Sequence, residues 1–265
     1  MMVAMTDKPQ IERLQVFPFK SLDGTSLNHV EIQPGESLSY DREFALFDRN
    51  GEIWNAKRDN RLHKISADYD IEGEKIALDA PSAEPATFDF SDELKAIETW
   101  FEEVLDGPVK IRRDGEQGFP DRPELGPSVV STATIETVTS WFNDLTVEGT
   151  RRRLRTNIEV SGVPAFWEDR FVGDDAPAFE VGGLRFEGAI PCGRCVVPSR
   201  DPDTGEALPE FRKRFIQKRR ESFPSWADED AFEHKFALTT ITSIPDASAG
   251  SQLRVGAPVT EQDPI

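Results

Sequence analysis

The sequence predicts a mainly β fold with flanking helices, an α+β arrangement. Short segments in which apolar and polar residues alternate dominate both ends of the chain, and two segments with helical apolar spacing lie between them. The chain has 265 residues, of which 37% are apolar, so it is long enough to bury a core in one large domain or two small ones. Strands, then helices, then strands again favour a barrel-like β architecture with the helices packed outside it.

Strand and hairpin patterns account for most of the first 90 residues. Four segments carry them: 11–20, 27–33, 42–56 and 69–78. Asn50-Gly51 is a favoured two-residue turn, so the third segment is predicted to form a hairpin. A second hairpin is predicted to turn at residues 72–74.

Two segments in the middle of the chain have the apolar spacing of helices. They are residues 91–107, with Leu94, Ile97, Phe101 and Val104, and residues 131–145, with Ile135, Val138, Phe142 and Leu145. Residues 112–128 between them are rich in Gly, Pro and charge, which predicts a long loop and a domain junction. We therefore expect one domain over residues 9–120 and a second over residues 121–262.

Strand patterns return after residue 150. Five segments carry them: 157–160, 178–190, 194–199, 236–244 and 252–259. Within the third of these, Val196, Val197 and Pro198 favour a short strand, because two β-branched residues and a proline make a poor helix start.

The acidic charge of the chain limits its classes of partner. The formal net charge is −18, which disfavours nucleic acid and anionic membranes as main partners. No apolar run is long enough to span a bilayer, and residues 1–14 lack the apolar core of a secretory leader, so a cytoplasmic protein is expected. An acidic chain with 10 Lys against 21 Arg favours a halophilic, high-salt cytoplasm over the alternative of an ordinary acidic enzyme.

Two basic clusters stand out against this acidic background. Residues 151–155 (RRRLR) and 211–220 (FRKRFIQKRR) hold 10 of the 31 basic residues. Each cluster is either a solvated helix face or part of an anion-binding pocket. A small anionic ligand is favoured over a polyanion, because the rest of the surface would repel the latter.

The two cysteines of the chain, Cys192 and Cys195, form a single C-x-x-C. A thioredoxin-type dithiol needs a helix directly after the motif, which the sequence does not favour. A structural zinc site needs four ligands, and the three histidines have no metal spacing; a disulfide is disfavoured in a reducing cytoplasm. Two readings remain, namely a thiolate that suits a soft metal centre and two small buried cysteines without a chemical role.

Four segments in order along the chain resemble the MOSC (molybdenum cofactor sulfurase C-terminal) domain family. They are VFPFKSLDG (16–24), YDREFALFDRNGE (40–52), LRTNIEVSGVPAFWEDRF (154–171) and PCGRCVVPSRDPDTGE (191–206). The first two are similar to motifs of the MOSC N-terminal domain, and the last two to motifs of the MOSC domain itself. The combination resembles most closely the subgroup of the mitochondrial amidoxime-reducing component and its bacterial relatives. The resemblance implies an N-terminal β domain packed on a MOSC β-barrel.

The resemblance also implies a pyranopterin molybdenum cofactor (Mo-molybdopterin) bound between the two domains. By that resemblance Cys195 is the molybdenum ligand, and Lys20, Ser21, Arg42, Arg155 and Asn157 hold the pterin and its phosphate. Ser131 is expected to donate to the same phosphate if it begins the second helix, where free N–H groups collect. Arg194 completes the expected set, because a cation beside Cys195 favours its thiolate.

The activity that the resemblance implies is reduction of small N-hydroxylated substrates. The sequence lacks the four cysteines of an iron–sulfur cluster, so a separate electron-transfer protein is the expected electron donor, and residues 211–220 either face the cofactor or dock that donor. The main alternative is a non-redox carrier of the cofactor, or of sulfur on a cysteine persulfide. A cofactor-free redox dithiol is the third hypothesis.

Overall fold

A mixed sheet of eight strands organises the second half of the chain and includes its first two strands. The computed structural model describes residues 8–244 and 249–262. The strand order is β15-β11-β12-β13-β9-β10-β1-β2, with β9 and β10 parallel. The bounds are β1 (Gln10–Val16), β2 (Thr25–Leu27), β9 (Ser128–Ser131), β10 (Ile158–Ser161), β11 (Phe179–Val181), β12 (Leu184–Gly193), β13 (Ala237–Ser243) and β15 (Val259–Glu261).

Backbone hydrogen bonds link β1 to the chain that enters β15. Ile11 N donates to Ala257 O at 2.9 Å, and Gly256 N donates to Ile11 O at 2.8 Å. Gln10 and Pro258 form an antiparallel bridge at the same place. Because β15 lies at the far end of the strand order, these bonds join the strands from β15 to β1 into a barrel-like ring.

The remaining strands lie mainly in the first half of the chain. They are β3 (His29–Glu31), β4 (Phe44–Phe47), β5 (Ser66–Asp70), β6 (Lys75–Ala80), β7 (Ala83–Asp89), β8 (Lys110–Arg113) and β14 (Gln252–Arg254). β5, β6 and β7 form an antiparallel sheet, while β4 pairs with β8 and β3 with β14. In β6, Ile76, Leu78 and Ala80 are buried and alternate with exposed residues, which is the pattern of a strand with one face on a core.

In the part of the chain that the structure describes, four α-helices flank the strands: α1 (Leu94–Leu105), α2 (Thr132–Ser140), α3 (Val147–Leu154) and α4 (Phe211–Glu221). α1 buries Ile97 and Phe101 in a core shared with β4 and β6. α2 and α4 share a second core, in which Trp141 packs edge-on against Phe215 with ring centroids 5.3 Å apart. Among the described residues, no helix combines the length and apolar character that crossing a bilayer requires.

The structure confirms the predicted mainly β fold with flanking helices. The hairpin that turns at residues 72–74 is present as β5 and β6. The hairpin at Asn50-Gly51 turns as predicted, but its second arm makes only a single bridge, Phe47 with Ile53. The second predicted helix ends at Ser140 rather than at residue 145. The division at residues 120 and 121 stays a prediction; β1 and β3 pair with strands of the second half, β10 and β14 respectively.

The predicted strand over residues 194–199 is wrong. β12 ends at Gly193, and Val197–Ser199 form a 3₁₀ helix. Ser199 N donates to Val196 O at 3.0 Å, and Arg200 N donates to Val197 O at 2.9 Å. Pro198 is compatible with this turn because its fixed φ matches a helical turn and it has no N–H that would need a partner.

A buried ion pair joins α4 to the 3₁₀ helix Trp167–Phe171. Arg219 donates to Asp169, and the two side chains are 0% and 1% exposed. The Arg219 guanidinium also lies 4.5 Å from the ring centre of Phe166.

Glu168 is fully buried beside this pair, and its Oε2 accepts from Ser131 N at 3.2 Å. Burial, with Asp169 as a second cause, raises the pKa of Glu168 to about 8.

Glu168→Gln is expected to remove a pH dependence of stability. The folded chain holds the Glu168 proton up to a pKa of about 8, against 4.5 for an ordinary glutamate. The protonated carboxyl of Glu168 therefore makes its full contribution to the free energy of unfolding below about pH 4.5. That contribution is lost as the pH rises toward 8, by up to about 1.4 kcal/mol per pH unit. Urea unfolding between pH 5 and pH 8 should give a shallower fall for the variant, and identical slopes would contradict the prediction.

Candidate functional site

One pocket of about 290 Å³ brings together residues from both halves of the chain. Both cysteines line it, as do seven of the eight predicted site residues: Lys20, Ser21, Arg42, Arg155, Asn157, Arg194 and Cys195. The segment 120–128, which the sequence marks as a domain junction, lines it as well. A pocket is thus present among the residues for which the resemblance implies a site.

The pocket is strongly basic although the chain is acidic. Its lining includes three acidic residues, Asp23, Asp41 and Asp121, against nine basic ones, Lys20, Lys57, Arg42, Arg122, Arg152, Arg153, Arg155, Arg194 and Arg200. Four of these arginines, Arg122, Arg155, Arg194 and Arg200, have no carboxylate within salt-bridge distance among the described residues. Positive charge held in a concave surface without a counter-ion favours an anionic ligand.

Arg155 is a partly buried arginine of the pocket without a carboxylate partner among the described residues. It caps the C-terminus of α3 in the left-handed conformation, with φ of 53°, which directs the chain from the helix into β10. Its Nη1 donates to Leu22 O, and its guanidinium lies 4.1 Å from the ring centre of Phe17. Burial, reinforced by the charge of Arg42, lowers the pKa of Arg155 to about 10. The side chain remains charged at neutral pH. A bound anion would offset the free-energy cost of burying that charge.

Arg42 lies beside Arg155 and is positioned by the same aromatic ring. Its backbone φ is 53°, its N donates to Phe17 O at 2.9 Å, and its guanidinium lies 4.5 Å from the Phe17 ring centre. The side chain pairs with Asp41 and donates through Nη2 to Arg155 O at 3.0 Å. Phe17 therefore holds two guanidinium groups at one wall of the pocket.

Asn157 connects β10 to this wall. Its Oδ1 accepts from Ser128 N at 3.1 Å and from Arg42 Nη1 at 3.3 Å, and its Nδ2 donates to Gln15 O at 3.1 Å. These bonds occupy the side-chain amide within the protein. Asn157 thus lines the pocket and orients Arg42 there.

A carboxylate bridges two lysines elsewhere in the pocket. Lys20 Nζ donates to Asp121 Oδ1 at 2.9 Å, and Lys57 Nζ donates to Asp121 Oδ2 at 2.6 Å. Burial lowers the pKa of Lys20, an effect that Asp121 opposes. Ser21 has a positive φ of 75°, and its Oγ accepts from Ala56 N at 3.1 Å. This bond ties the loop after β1 to the segment that carries Lys57.

The two cysteines are free thiols, both half-buried. Cys192 lies near the end of β12, whereas Cys195 follows the strand. Burial lowers the pKa of Lys57, but Asp121 and then the charges of Cys195 and Cys192 outweigh it and leave that pKa raised. Lys57 therefore lies close enough to both thiols to interact electrostatically with their thiolates.

Arg194, between the cysteines, is held mainly by backbone carbonyls. Its Nη1 donates to Leu154 O at 2.9 Å, and its Nε and Nη2 donate to Leu238 O at 3.1 and 2.7 Å. Nη2 also donates to Thr239 Oγ1 at 2.6 Å. These four bonds leave one of the five guanidinium N–H groups for a ligand.

Ser131 does not belong to the pocket. As predicted, it begins the second helix, but its buried Oγ accepts from Thr134 N at 3.0 Å and donates to Pro164 O at 3.1 Å. Ser128, three residues earlier on β9, lines the pocket instead. Three residues of a strand span about 10 Å, which is why the helix start and the pocket do not coincide.

The basic segment 211–220 also lies outside the pocket lining. It forms α4, whose Phe211 and Phe215 are buried in the core beside α2. Of the two alternatives for this segment, facing the cofactor is therefore not supported by the pocket that contains the cysteines, and docking of an electron donor stays a prediction.

The turn that follows the cysteines contacts residues from the first half of the chain. Arg200 Nη1 donates to Ala56 O at 2.6 Å, and Arg152 Nη2 pairs with Asp23 at 3.2 Å and with Asp203 at 2.8 Å. Asp201 Oδ1 accepts from Thr204 N at 3.0 Å within the D-P-D-T-G turn. These contacts connect the turn, in the second half of the chain, to Ala56 and Asp23 in the first half.

Several pocket residues were not predicted: His63, Lys57, Asp121, Arg153, Arg200 and Ser128. Arg153 lies in a basic cluster and Arg200 borders the D-P-D-T-G turn, so charge and turn patterns carry a weak signal for them. Nothing in the sequence marks His63.

Within residues 8–244 and 249–262, no three His, Cys, Asp or Glu side chains are grouped so as to hold a metal ion by themselves.

Known proteins resemble this chain in sequence over most of its length. Curated proteins named molybdenum cofactor sulfurase match it at 25% identity in Caenorhabditis briggsae, over 85% of this chain and 34% of that protein, and at 23% in Oryza sativa subsp. japonica, over 75% and 29%. The chain thus spans about a third of the relatives that it matches. A crystal structure of the YuaD protein from Bacillus subtilis aligns with 95% of this chain and 94% of its own, at 12% identity and a TM-score of 0.38.

Two family descriptions match the sequence in succession. The MOSC N-terminal beta barrel domain matches residues 8–109, and the MOSC domain matches residues 127–259. The second match alone covers half of the chain. This protein belongs to the MOSC family, with a MOSC domain that follows a MOSC N-terminal β barrel domain.

Proposed function

We propose that the chain binds the molybdenum cofactor in the basic pocket, with Cys195 as the thiolate ligand of the metal. The observation that carries the proposal is that two free thiols line the same pocket as four arginines without a carboxylate partner among the described residues. The names of the relatives, molybdenum cofactor sulfurase, support a role related to this cofactor.

The residues of the pocket fit such a group. A phosphorylated pterin is anionic, and guanidinium groups bind phosphate oxygens through paired N–H donors. Arg153 Nε is buried and has no hydrogen-bond partner among the described residues, and a native pocket seldom leaves a buried donor unpaired unless a ligand or water completes it. Thiolate is a suitable ligand for a soft metal centre.

Each pocket residue then has a defined task. Arg155, Arg42 and Lys20 bind the anionic part of the cofactor, and Arg194 contributes its remaining N–H. Phe17 and Asn157 orient the guanidinium groups, while Lys57 supplies positive charge beside the thiols. When bound, the cofactor supplies two-electron redox chemistry.

The reaction proposed is reduction of a small N-hydroxylated compound, as in the amidoxime-reducing subgroup. The N–O bond of the substrate breaks, two electrons from a separate electron-transfer protein reduce the nitrogen, and two protons are taken up. The products are the corresponding amine or amidine and water. The resemblance of the C-x-R-C and D-P-D-T-G motifs to that subgroup supports this assignment.

A second candidate is a non-redox carrier of sulfur, and the names of the relatives favour it. In that case Cys195 would carry a sulfane sulfur as a persulfide, received from a separate sulfur donor. The two functions differ in what they require of the thiol. A metal ligand is protected from alkylation, whereas a carrier thiol must be exposed and reactive.

Metal analysis of the full-length chain, purified from a host that makes the cofactor, tests the proposal. We expect molybdenum and a phosphorylated pterin in the purified protein, and Arg155→Met should lose most of both. Arg185→Met is the matched control, because Arg185 pairs with Glu187 on β12 and does not line the pocket. Absence of molybdenum from the unsubstituted protein would refute the binding proposal. Rapid alkylation of Cys195 in loaded protein would favour the carrier.

A further inference from the structure

We infer that His63 is a further binding residue of this pocket, with its Nε2 hydrogen-bonded to the phosphate group of the bound molecule. The inference rests on the proposed function and adds to the site a side chain from the first half of the chain.

The position of His63 is fixed by its surroundings. It lies in a 3₁₀ helix, Asn60–Lys64, which begins where the Asp59 side chain accepts from Arg61 N. Leu62 anchors this helix in the core. The D-P-D-T-G turn packs against its other side: a Cβ built on Gly205 would lie 2.8 Å from Asn60 O and 3.3 Å from His63 Cβ. The imidazole is therefore held between the turn and the pocket.

The ring nitrogen Nε2 of His63 lacks a partner. It is buried and makes no hydrogen bond to any described residue, while the side chain lines the pocket. An unpaired buried polar atom costs about 1–3 kcal/mol, so a native structure usually pairs such an atom with a ligand or water. Arg153 Nε, in the same pocket, has the same property.

The charges around His63 indicate what it binds. Burial lowers the pKa of His63, and the charges of Arg200, Arg155 and Arg153 lower it further, against a smaller effect of Asp201. The ring is thus neutral at neutral pH and offers one N–H donor and one acceptor. Three arginines near an N–H donor form a site for a phosphate, whose oxygens accept from guanidinium and imidazole groups together.

Phosphate titration of ¹⁵N-labelled full-length protein, from a host that cannot make the cofactor, tests the inference. The chain has three histidines, so each imidazole can be followed separately. With inorganic phosphate as the probe, the His63 signals should shift saturably while those of His29, exposed on β3, stay constant. His63→Ala should weaken phosphate binding about tenfold, in keeping with one lost hydrogen bond to a charged group. His63→Gln should restore part of it, and His29→Ala should have no effect.

A second readout uses protein from a host that makes the cofactor. His63→Ala should retain less phosphorylated pterin per chain than the unsubstituted protein, whatever its activity. If phosphate binds, Arg155→Met weakens it and His63→Ala does not, the inference about His63 is wrong while the pocket proposal stands. If the unsubstituted protein binds neither phosphate nor cofactor, the proposed function and this inference both fail.

Discussion

Asp169→Asn is expected to lower the free energy of unfolding by about 3 kcal/mol or more. The substitution keeps the shape of the side chain but removes the negative charge that faces Arg219, which is 0% exposed. Removing one partner of a buried ion pair typically costs about 3–5 kcal/mol, because the other charge stays buried without compensation. Urea unfolding at pH 7 measures the effect.

The control is a solvent-exposed ion pair between an ammonium group and a carboxylate. Lys213 and Glu210 pair at 2.7 Å, with side chains 81% and 69% exposed, so Glu210→Gln should change stability by less than about 1 kcal/mol. Replacing both members of the buried pair, as Asp169→Leu with Arg219→Met, should recover most of the loss because no charge is then left buried. Equal effects of Asp169→Asn and Glu210→Gln would contradict the interpretation of the pair as buried and coupled.

Local sequence patterns predicted a helix or strand correctly where the apolar residues of the pattern are the ones that the structure buries. The apolar spacing of α1 and the alternation in β6 are both properties of a few consecutive residues, and the structure buries those faces. The patterns failed where a distant contact decides the conformation. Val196 and Val197 favour a strand, yet the chain leaves the sheet there to place Pro198 and Arg200 at the pocket.

The same limit applies to the candidate site. The resemblance pointed to Arg42, Arg155 and Cys195, and all three line one pocket. His63 could not be predicted, because its role depends on the turn at Gly205 that packs beside it from far along the chain. Ser131 was predicted from its place at a helix start, which is a local property, whereas the position of the pocket depends on how β9 lies in the sheet.

Cys195→Ala should abolish molybdenum binding and with it the proposed reductase activity. Loss of a residue that only supports a metal ligand typically costs 10- to 100-fold in affinity or activity, so loss of the ligand itself should exceed about 100-fold. Cys192→Ala is the matched control, since Cys192 is also a free, half-buried thiol that lines the pocket. It should retain molybdenum and activity within a few-fold of the unsubstituted protein.

The difference between the two cysteines follows from their places in the chain. Cys192 lies within β12 at a register shift, between the pairs that Pro191 and Gly193 make with Thr240 and Ala237 of β13. Cys195 lies after the last pair, where the backbone is no longer held in a ladder and turns toward the pocket. Measurements of the molybdenum content and of the rate of amidoxime reduction with a chemical electron donor show which of the two cysteines is the metal ligand. Loss of both on Cys192→Ala, with both kept on Cys195→Ala, would reverse the roles of the two thiols, and dependence on both cysteines without any bound molybdenum would instead support a redox dithiol.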